Sequence, residues 1–303
     1  MKTVIIFGGS GFVGKHLIRR IVKNGYKIIV PHQKSINEAS LKILGDLGQI
    51  IPIKFKSFDN KTIIKTINSS DVVINLKTQW DEKKISYKNG ILDFNIELVD
   101  IIKKNNKKKQ FIYFSGIGID DKQDSARSSS IYASEQYIEK NLSNSTIIRP
   151  GVIIGGGDNF LKSLIPLFKI SFFIPLFGSG AAKFQPVFID DVSLAVNKIV
   201  KFSPKGNQIF EFTGNEIFSY SNLYSYLAKC MNKTRVLVPI PLFIVKIGVS
   251  MLSKTPFAPL TPEQLRLFES DNIASNKYKS LQDLQINPQD LKEIIKKIIK
   301  KHT

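Results

Sequence analysis

Three glycines near the N-terminus, Gly8, Gly11 and Gly14, follow the apolar run Val4–Phe7 and precede Leu17, Ile18, Ile21 and Val22 at helical spacing. A buried strand, a glycine turn and a helix in that order form a dinucleotide site. The first glycine permits the tight turn, the second lets the backbone approach a pyrophosphate, and the third lets the helix lie close on the sheet. Phe12 and Val13 open the helix, so backbone N–H groups there face the phosphates, helped by the helix dipole. Which nucleotide binds is read at the end of the second strand, where an acid about 20 residues beyond the glycines would bond the ribose of NAD. That strand, Lys27–Val30, runs instead into Pro31, His32, Gln33 and Lys34, with no carboxylate before Glu38. His32 and Lys34 are thus the predicted contacts of a 2′-phosphate. NADP(H) is the preferred cofactor on this reading, with NAD(H) as the alternative.

Such residues need a scaffold. Strand-like runs at Val4–Phe7, Lys27–Val30, Ile50–Phe55, Val72–Leu76, Phe111–Ser115 and Thr146–Arg149 alternate with helical ones, the pattern of repeated βαβ units. The expected fold is α/β, a Rossmann-type doubly wound parallel sheet with a small C-terminal α/β lobe. Residues 1–150 form the nucleotide-binding domain, parts of 186–215 return to it, and 151–303 form mainly the lobe, ending in a helix. Right-handed crossovers set the strand C-terminal ends along one crevice. Position there adds Asn75, Leu76, Pro150 and Val152 to the cofactor's surroundings, with Ser57 and Phe58 near the adenine. Two apolar stretches, Phe160–Phe177 and Val236–Pro259, follow the sheet. Core is the ordinary reading of such segments, yet apolar segments flanked by lysine also suit a membrane surface or a docking face.

With 303 residues and 43% hydrophobic content the chain can bury a large core. Lys and Arg number 44 against 25 Asp and Glu, a formal charge of +19. Lysine pairs and triplets at 103–104, 107–109, 296–297 and 300–301 carry much of the excess. An anionic membrane surface or an acidic protein fits this charge. Nucleic acid is not expected, since no recognition module or aromatic-interleaved basic stripe appears. Cys230 is the only cysteine, so there is no internal disulfide and no cysteine cluster for zinc. His16, His32 and His302 are dispersed, and no metal site is expected. No run of about 18 apolar residues occurs, so a spanning helix is not expected. The first strand begins at once, leaving no room for a targeting peptide, which points to the cytoplasm.

Further along, Ser115 closes the run Phe111–Ser115 and Tyr132 falls in the helical stretch that follows. In these residues and in the glycine turn the chain resembles the extended short-chain dehydrogenase/reductases over essentially its whole length. The resemblance implies that Ser115 polarises a carbonyl and that Tyr132 is the proton donor of a Tyr-x-x-x-Lys motif. Here the motif is broken, because the fourth residue after Tyr132 is Gln136. A tyrosine with pKa about 10 stays protonated near neutrality without a nearby cation. Gln136 offers a hydrogen bond to the nicotinamide ribose but no charge. Lys140, about two helical turns past Tyr132, and Lys77, just after Val72–Leu76, are the candidate substitutes.

A narrower resemblance lies in the blocks Arg149–Leu161, Ile174–Gly178 and Lys183–Val192, in Leu260–Leu265 with Ser270–Asn272 behind it, and in Gly45–Ile50. These are similar to the complex I alpha-subcomplex subunit nine family. The resemblance implies an NAD(P)H-binding, non-catalytic accessory or assembly protein, related to NADH:ubiquinone oxidoreductase and to quinone metabolism. Such a protein is peripheral to the inner (cytoplasmic) membrane, or on the matrix side if mitochondrial; abundant Lys, Ile and Asn favour a bacterial member. Its implied partners are respiratory complex I or another membrane-associated protein. The alternative is an active NADPH-dependent reductase, epimerase or dehydratase acting on a quinone precursor, lipid or nucleotide sugar. Asp158 and Asn159 would then shape the substrate mouth, and Arg149, Lys183 and Gln185 would meet an anionic group.

Overall fold

The computed structural model describes residues 1–33, 36, 38–105, 109–122, 125–252 and 260–302. Seven parallel strands form its main sheet: β1 (Thr3–Phe7), β2 (Lys27–His32), β3 (Ile50–Lys54), β4 (Val72–Asn75), β5 (Gln110–Phe114), β6 (Ser145–Pro150) and β7 (Gln208–Phe212). Their order across the sheet is β7-β6-β5-β4-β1-β2-β3. β1 pairs with β2 on one side and β4 on the other, so the strand order reverses at β1. A crevice opens outside the strand ends at such a point.

Alternation along the strands divides the core in two, because successive side chains leave opposite faces of a sheet. Val4, Ile6, Ile28, Val30, Val72, Ile74, Ile112 and Ile148 pack with α1 (Phe12–Ile21) and the helix Ile189–Phe202. Ile5, Phe7, Ile29, Val73, Phe111, Tyr113 and Ile147 pack on the other face with Ile63, Ile67, Leu98, Val99, Ile102 and Ile138. Those last residues belong to α2 (Lys61–Ser69), α3 (Phe94–Asn105) and α4 (Ala126–Asn141). The buried Lys109 ammonium donates to the carbonyls of Ile67, Asn68 and Ser70, closing the C-terminus of α2.

After Pro150 the chain builds a further core from Ile154, Leu161, Phe168, Ile174, Phe184, Tyr220, Leu223, Leu227, Ile295 and Ile299. The first apolar stretch is the helix Asn159–Ile170 and the strand Phe173–Phe177. The second is the strand Val236–Ile240, parallel to Phe173–Phe177, and the helix Leu242–Leu252. Residues 253–259, the end of that stretch, lie outside the described residues. No helix among the described residues is long and apolar enough to cross a membrane.

Candidate functional site

The glycine turn joins β1 to α1 as the spacing predicts. Gly8 has φ +79°, and a Cβ there would lie 3.0 Å from the carbonyl carbon of Leu76. Gly8 therefore permits both the left-handed backbone and the contact with the end of β4. At Gly14 an added Cβ would lie 2.5 Å from the Cα of Gly9, so these two glycines set how closely α1 meets the turn. Gly9 escapes a reading based on three evenly spaced glycines. Gly11 caps α1 without a side-chain hydrogen bond, and the first turn of the helix holds no acid. An open helix N-terminus beside a bare-backbone turn is chemistry that suits a dinucleotide's phosphates. Phe12 stands edge-on to His16, with ring centroids 5.2 Å apart, and its ring lies beside Gly155. Val13 is half-buried in the same helical turn.

At the end of β2 stands His32. Its ring is buried, and Nε2 lies 3.1 Å from the Glu38 carboxylate. The carboxylate that the strand end lacks thus returns six positions later to pair with the ring. Lys34, the other predicted contact, lies outside the described residues. Of the residues expected near the adenine, Phe58 is buried against Phe7, Phe55 and Phe94, while the Ser57 hydroxyl donates to Asp59.

Asn75, the last residue of β4, is buried: its amide donates to Asn95 Oδ1 at 2.8 Å, and its Oδ1 accepts from the Lys77 N–H at 3.0 Å. Its side chain thus fixes the strand end and α3. Leu76 donates its N–H to the Phe7 carbonyl at 2.9 Å and packs against Gly8. Lys77 projects its ammonium over the Phe94 ring, 3.9 Å from the centroid. Burial pulls its pKa down to about 8, partly opposed by Glu97.

Ser115 follows the last residue of β5, with its N–H on the Ile148 carbonyl at 2.8 Å. Its Oγ is buried and, among the described residues, has no hydrogen-bond partner. An orphaned hydroxyl at a strand end is unusual enough to mark a site. Tyr132, on α4, packs against the cluster of Tyr87, Ile91, Ile119 and Ile131. Gln136 and Lys140 are both exposed farther along the helix. Their neighbour Glu135 is fully buried and forms a bidentate pair with Arg149, at 3.0 and 2.5 Å.

Several residues expected near the substrate are occupied elsewhere. Arg149 is held by Glu135 and lies over the Tyr278 ring, so it is not free for an anionic ligand. Asp158 caps the helix Asn159–Ile170, accepting from the N–H groups of Leu161 and Gly155. Gln185 donates to the Gly214 carbonyl and accepts from the Ala274 N–H, while Lys183 is exposed. Pro150 ends β6 beside Phe212, and Val152 packs on the core that follows the sheet. Two open grooves, about 320 and about 400 Å³, lie on those later elements, lined by Phe218, Tyr226 and Lys292 and by Leu161, Ile165 and Ile298. The chemistry-bearing residues lie instead along the strand ends.

Known proteins share this arrangement. The NAD dependent epimerase/dehydratase family matches residues 4–211. The mitochondrial NADH dehydrogenase [ubiquinone] 1 alpha subcomplex subunit 9 of Arabidopsis thaliana is 28% identical, covering 95% of this chain and 74% of the relative. The subunit of the same name from Mus musculus is 24% identical over 98% of this chain and 79% of its own. Among solved structures, UDP-glucuronic acid 4-epimerase from Bacillus cereus, in complex with UDP-glucuronic acid and NAD, superposes with a TM-score of 0.73 at 17% identity, covering 99% and 100% of the two chains. The dTDP-glucose 4,6-dehydratase of Streptomyces venezuelae, with NAD bound, gives 0.74 at 13% identity over 98% and 96%. With its glycine turn, reversed strand order and matching span, this chain belongs to the NAD dependent epimerase/dehydratase family, and its curated relatives include complex I alpha-subcomplex subunits.

Proposed function

We propose that this protein is a nicotinamide-dinucleotide-binding accessory or assembly subunit of a respiratory complex I, seated against the membrane, in which the nucleotide completes the fold rather than turning over. One observation carries the reading: the phosphate-binding turn is intact, whereas the helix bearing Tyr132 presents an exposed, uncharged Gln136 in the family's lysine position. Gly8, Gly9, Gly11 and Gly14 with the N-terminus of α1 would hold the phosphates, and Ser115, Tyr132 and Gln136 would line the nicotinamide end. Once bound, the nucleotide would supply hydride chemistry to any substrate able to reach it. With Gln136 in the family's lysine position, this chain holds the nucleotide but does not drive proton transfer. Binding also stabilises the fold by mass action, by about 2.7 kcal/mol at a ligand concentration 100 times Kd. A preference for NADP(H) over NAD(H) rests on the lack of a carboxylate between Lys27 and Glu38 and on His32 and Lys34.

The membrane side of the reading is supported by the later elements. Ile170 is 87% exposed and Met251 75%, and Phe172, Phe173, Phe243, Ile244 and Ile247 are exposed near them. Lys169, Lys233 and Lys246 are exposed along the same elements. An apolar face edged by lysine on a chain of charge +19 suits an anionic bilayer.

A second reading, an active reductase or epimerase, has its own support in the Ser115 Oγ, buried at the end of β5 and without a hydrogen-bond partner among the described residues. Native mass spectrometry of the gently purified protein, with the released nucleotide identified, separates the two when joined to hydride-transfer assays on quinone precursors and carbonyl compounds. Retained nucleotide that reduces nothing is expected, together with no gain in Gln136→Lys. Exchangeable nucleotide oxidised by one substrate class would overturn the accessory reading and make Tyr132 the next residue to change.

A further inference from the structure

The position of Lys77 goes beyond its possible service as a substitute for the missing lysine. The residue lies just past β4, beside the point where the strand order reverses. Its backbone is fixed there, since its N–H is held by Asn75 Oδ1 and the adjoining Leu76 packs on Gly8 with Leu76 N–H on the Phe7 carbonyl. Its ammonium is fixed as well. It sits 3.9 Å over the Phe94 ring, and that ring meets Phe7, the residue before the glycine turn, at 5.6 Å. Among the described residues Lys77 forms no ion pair, and Glu97 on α3 is the one charged group acting on it. The turn Gly8-Gly9-Ser10-Gly11 and the segment Phe114-Ser115-Gly116 carry no charge. A largely buried cation without a carboxylate mate among the described residues, one position past the Leu76 that packs on Gly8 of the uncharged glycine turn, is an arrangement that suits an anion.

We infer that Lys77 is the cationic partner of the dinucleotide's pyrophosphate, working with the glycine turn to hold it. The inference rests on the dinucleotide reading and adds to it a side chain and a pH dependence. Because the ammonium loses its proton near pH 8, affinity for the nucleotide falls as pH rises through that value. The pyrophosphate is common to NADH and NADPH, so both are affected alike.

The test is titration of the full-length protein, freed of copurified nucleotide, with NADH and NADPH between pH 6.5 and 9.5. A charge-assisted contact of this kind is worth roughly tenfold or more in affinity. Lys77→Met is expected to weaken both nucleotides by about that factor at pH 7, and the wild type to lose a similar factor on the alkaline side. Lys77→Arg, which stays charged throughout, should bind well and flatten the pH profile. Thermal melts of the free variants confirm that each is folded. Wild-type binding with an indifferent Lys77→Met, or an alkaline loss that persists in Lys77→Arg, overturns the proposal alone, as does weakening confined to NADPH, which would assign the 2′-phosphate instead. A wild-type protein that binds neither nucleotide overturns the dinucleotide reading as well.

Discussion

At the scale of single residues, the site gives up stability for chemistry, and Lys77 makes this measurable without a ligand. Burial lowers its pKa in the fold from 10.5 to about 8. Between those values the unfolded chain binds the extra proton, so this group makes the free protein more stable as pH rises from about 8 toward 10.5. Below pH 8 both states are protonated and the cost of burying the charge is fully present. Lys77→Met should therefore melt above the wild type at pH 7, with the gap closing above about pH 10.5; a gap that stays constant with pH would reject the assignment. Gly14 is constrained in the opposite sense. A methyl there meets the backbone of Gly9 at 2.5 Å, which no side-chain rotation can relieve. Gly14→Ala should cost about 1–3 kcal/mol in urea denaturation and reduce nucleotide affinity, because α1 must move off the turn.

At the scale of elements, α4 and β6 are joined by the buried Glu135–Arg149 pair, with side chains 1% and 6% exposed. Removing one partner leaves an uncompensated charge in the interior, so Arg149→Met should destabilise the protein by about 3–5 kcal/mol. Replacing both by apolar residues of similar volume, Glu135→Leu with Arg149→Met, should recover most of that loss. Denaturation midpoints of the two single variants and the double variant form the cycle, and additive losses would mean that the pair is not coupled. This matters for function because the pair holds the helix carrying Tyr132 against the strand that ends at Pro150.

At the scale of the whole molecule, the question is what the exposed apolar face meets. Of the helix Leu242–Leu252 only Val249 is buried. Ile247→Glu together with Met251→Glu should leave the melting temperature nearly unchanged, since both side chains face solvent. The same pair should abolish flotation of the protein with vesicles containing anionic lipid. Wild-type flotation should weaken as salt rises, as screening of the lysines requires. Flotation that ignores both the substitutions and the salt would remove this face from the proposed membrane contact.

The sequence by itself determined the family's nucleotide frame. Continuous apolar strands, helical spacing after Gly14 and glycine in the turn between strand and helix are local necessities, so they are written locally, and six of the seven sheet strands are legible as apolar runs. Gln136 was equally legible, because it is a departure at one position of a fixed spacing. Only the tertiary structure decided what long-range partners do. That His32 turns to Glu38, that Arg149 is held by Glu135 and that Asp158 caps a helix depend on contacts no single segment encodes. The same holds for Lys77. One lysine among many in a basic chain is distinguished only when the fold buries its ammonium beside Phe94 and leaves it without an ion pair among the described residues. Its depressed pKa comes from desolvation, and desolvation is a property of the packed molecule rather than of its order of residues.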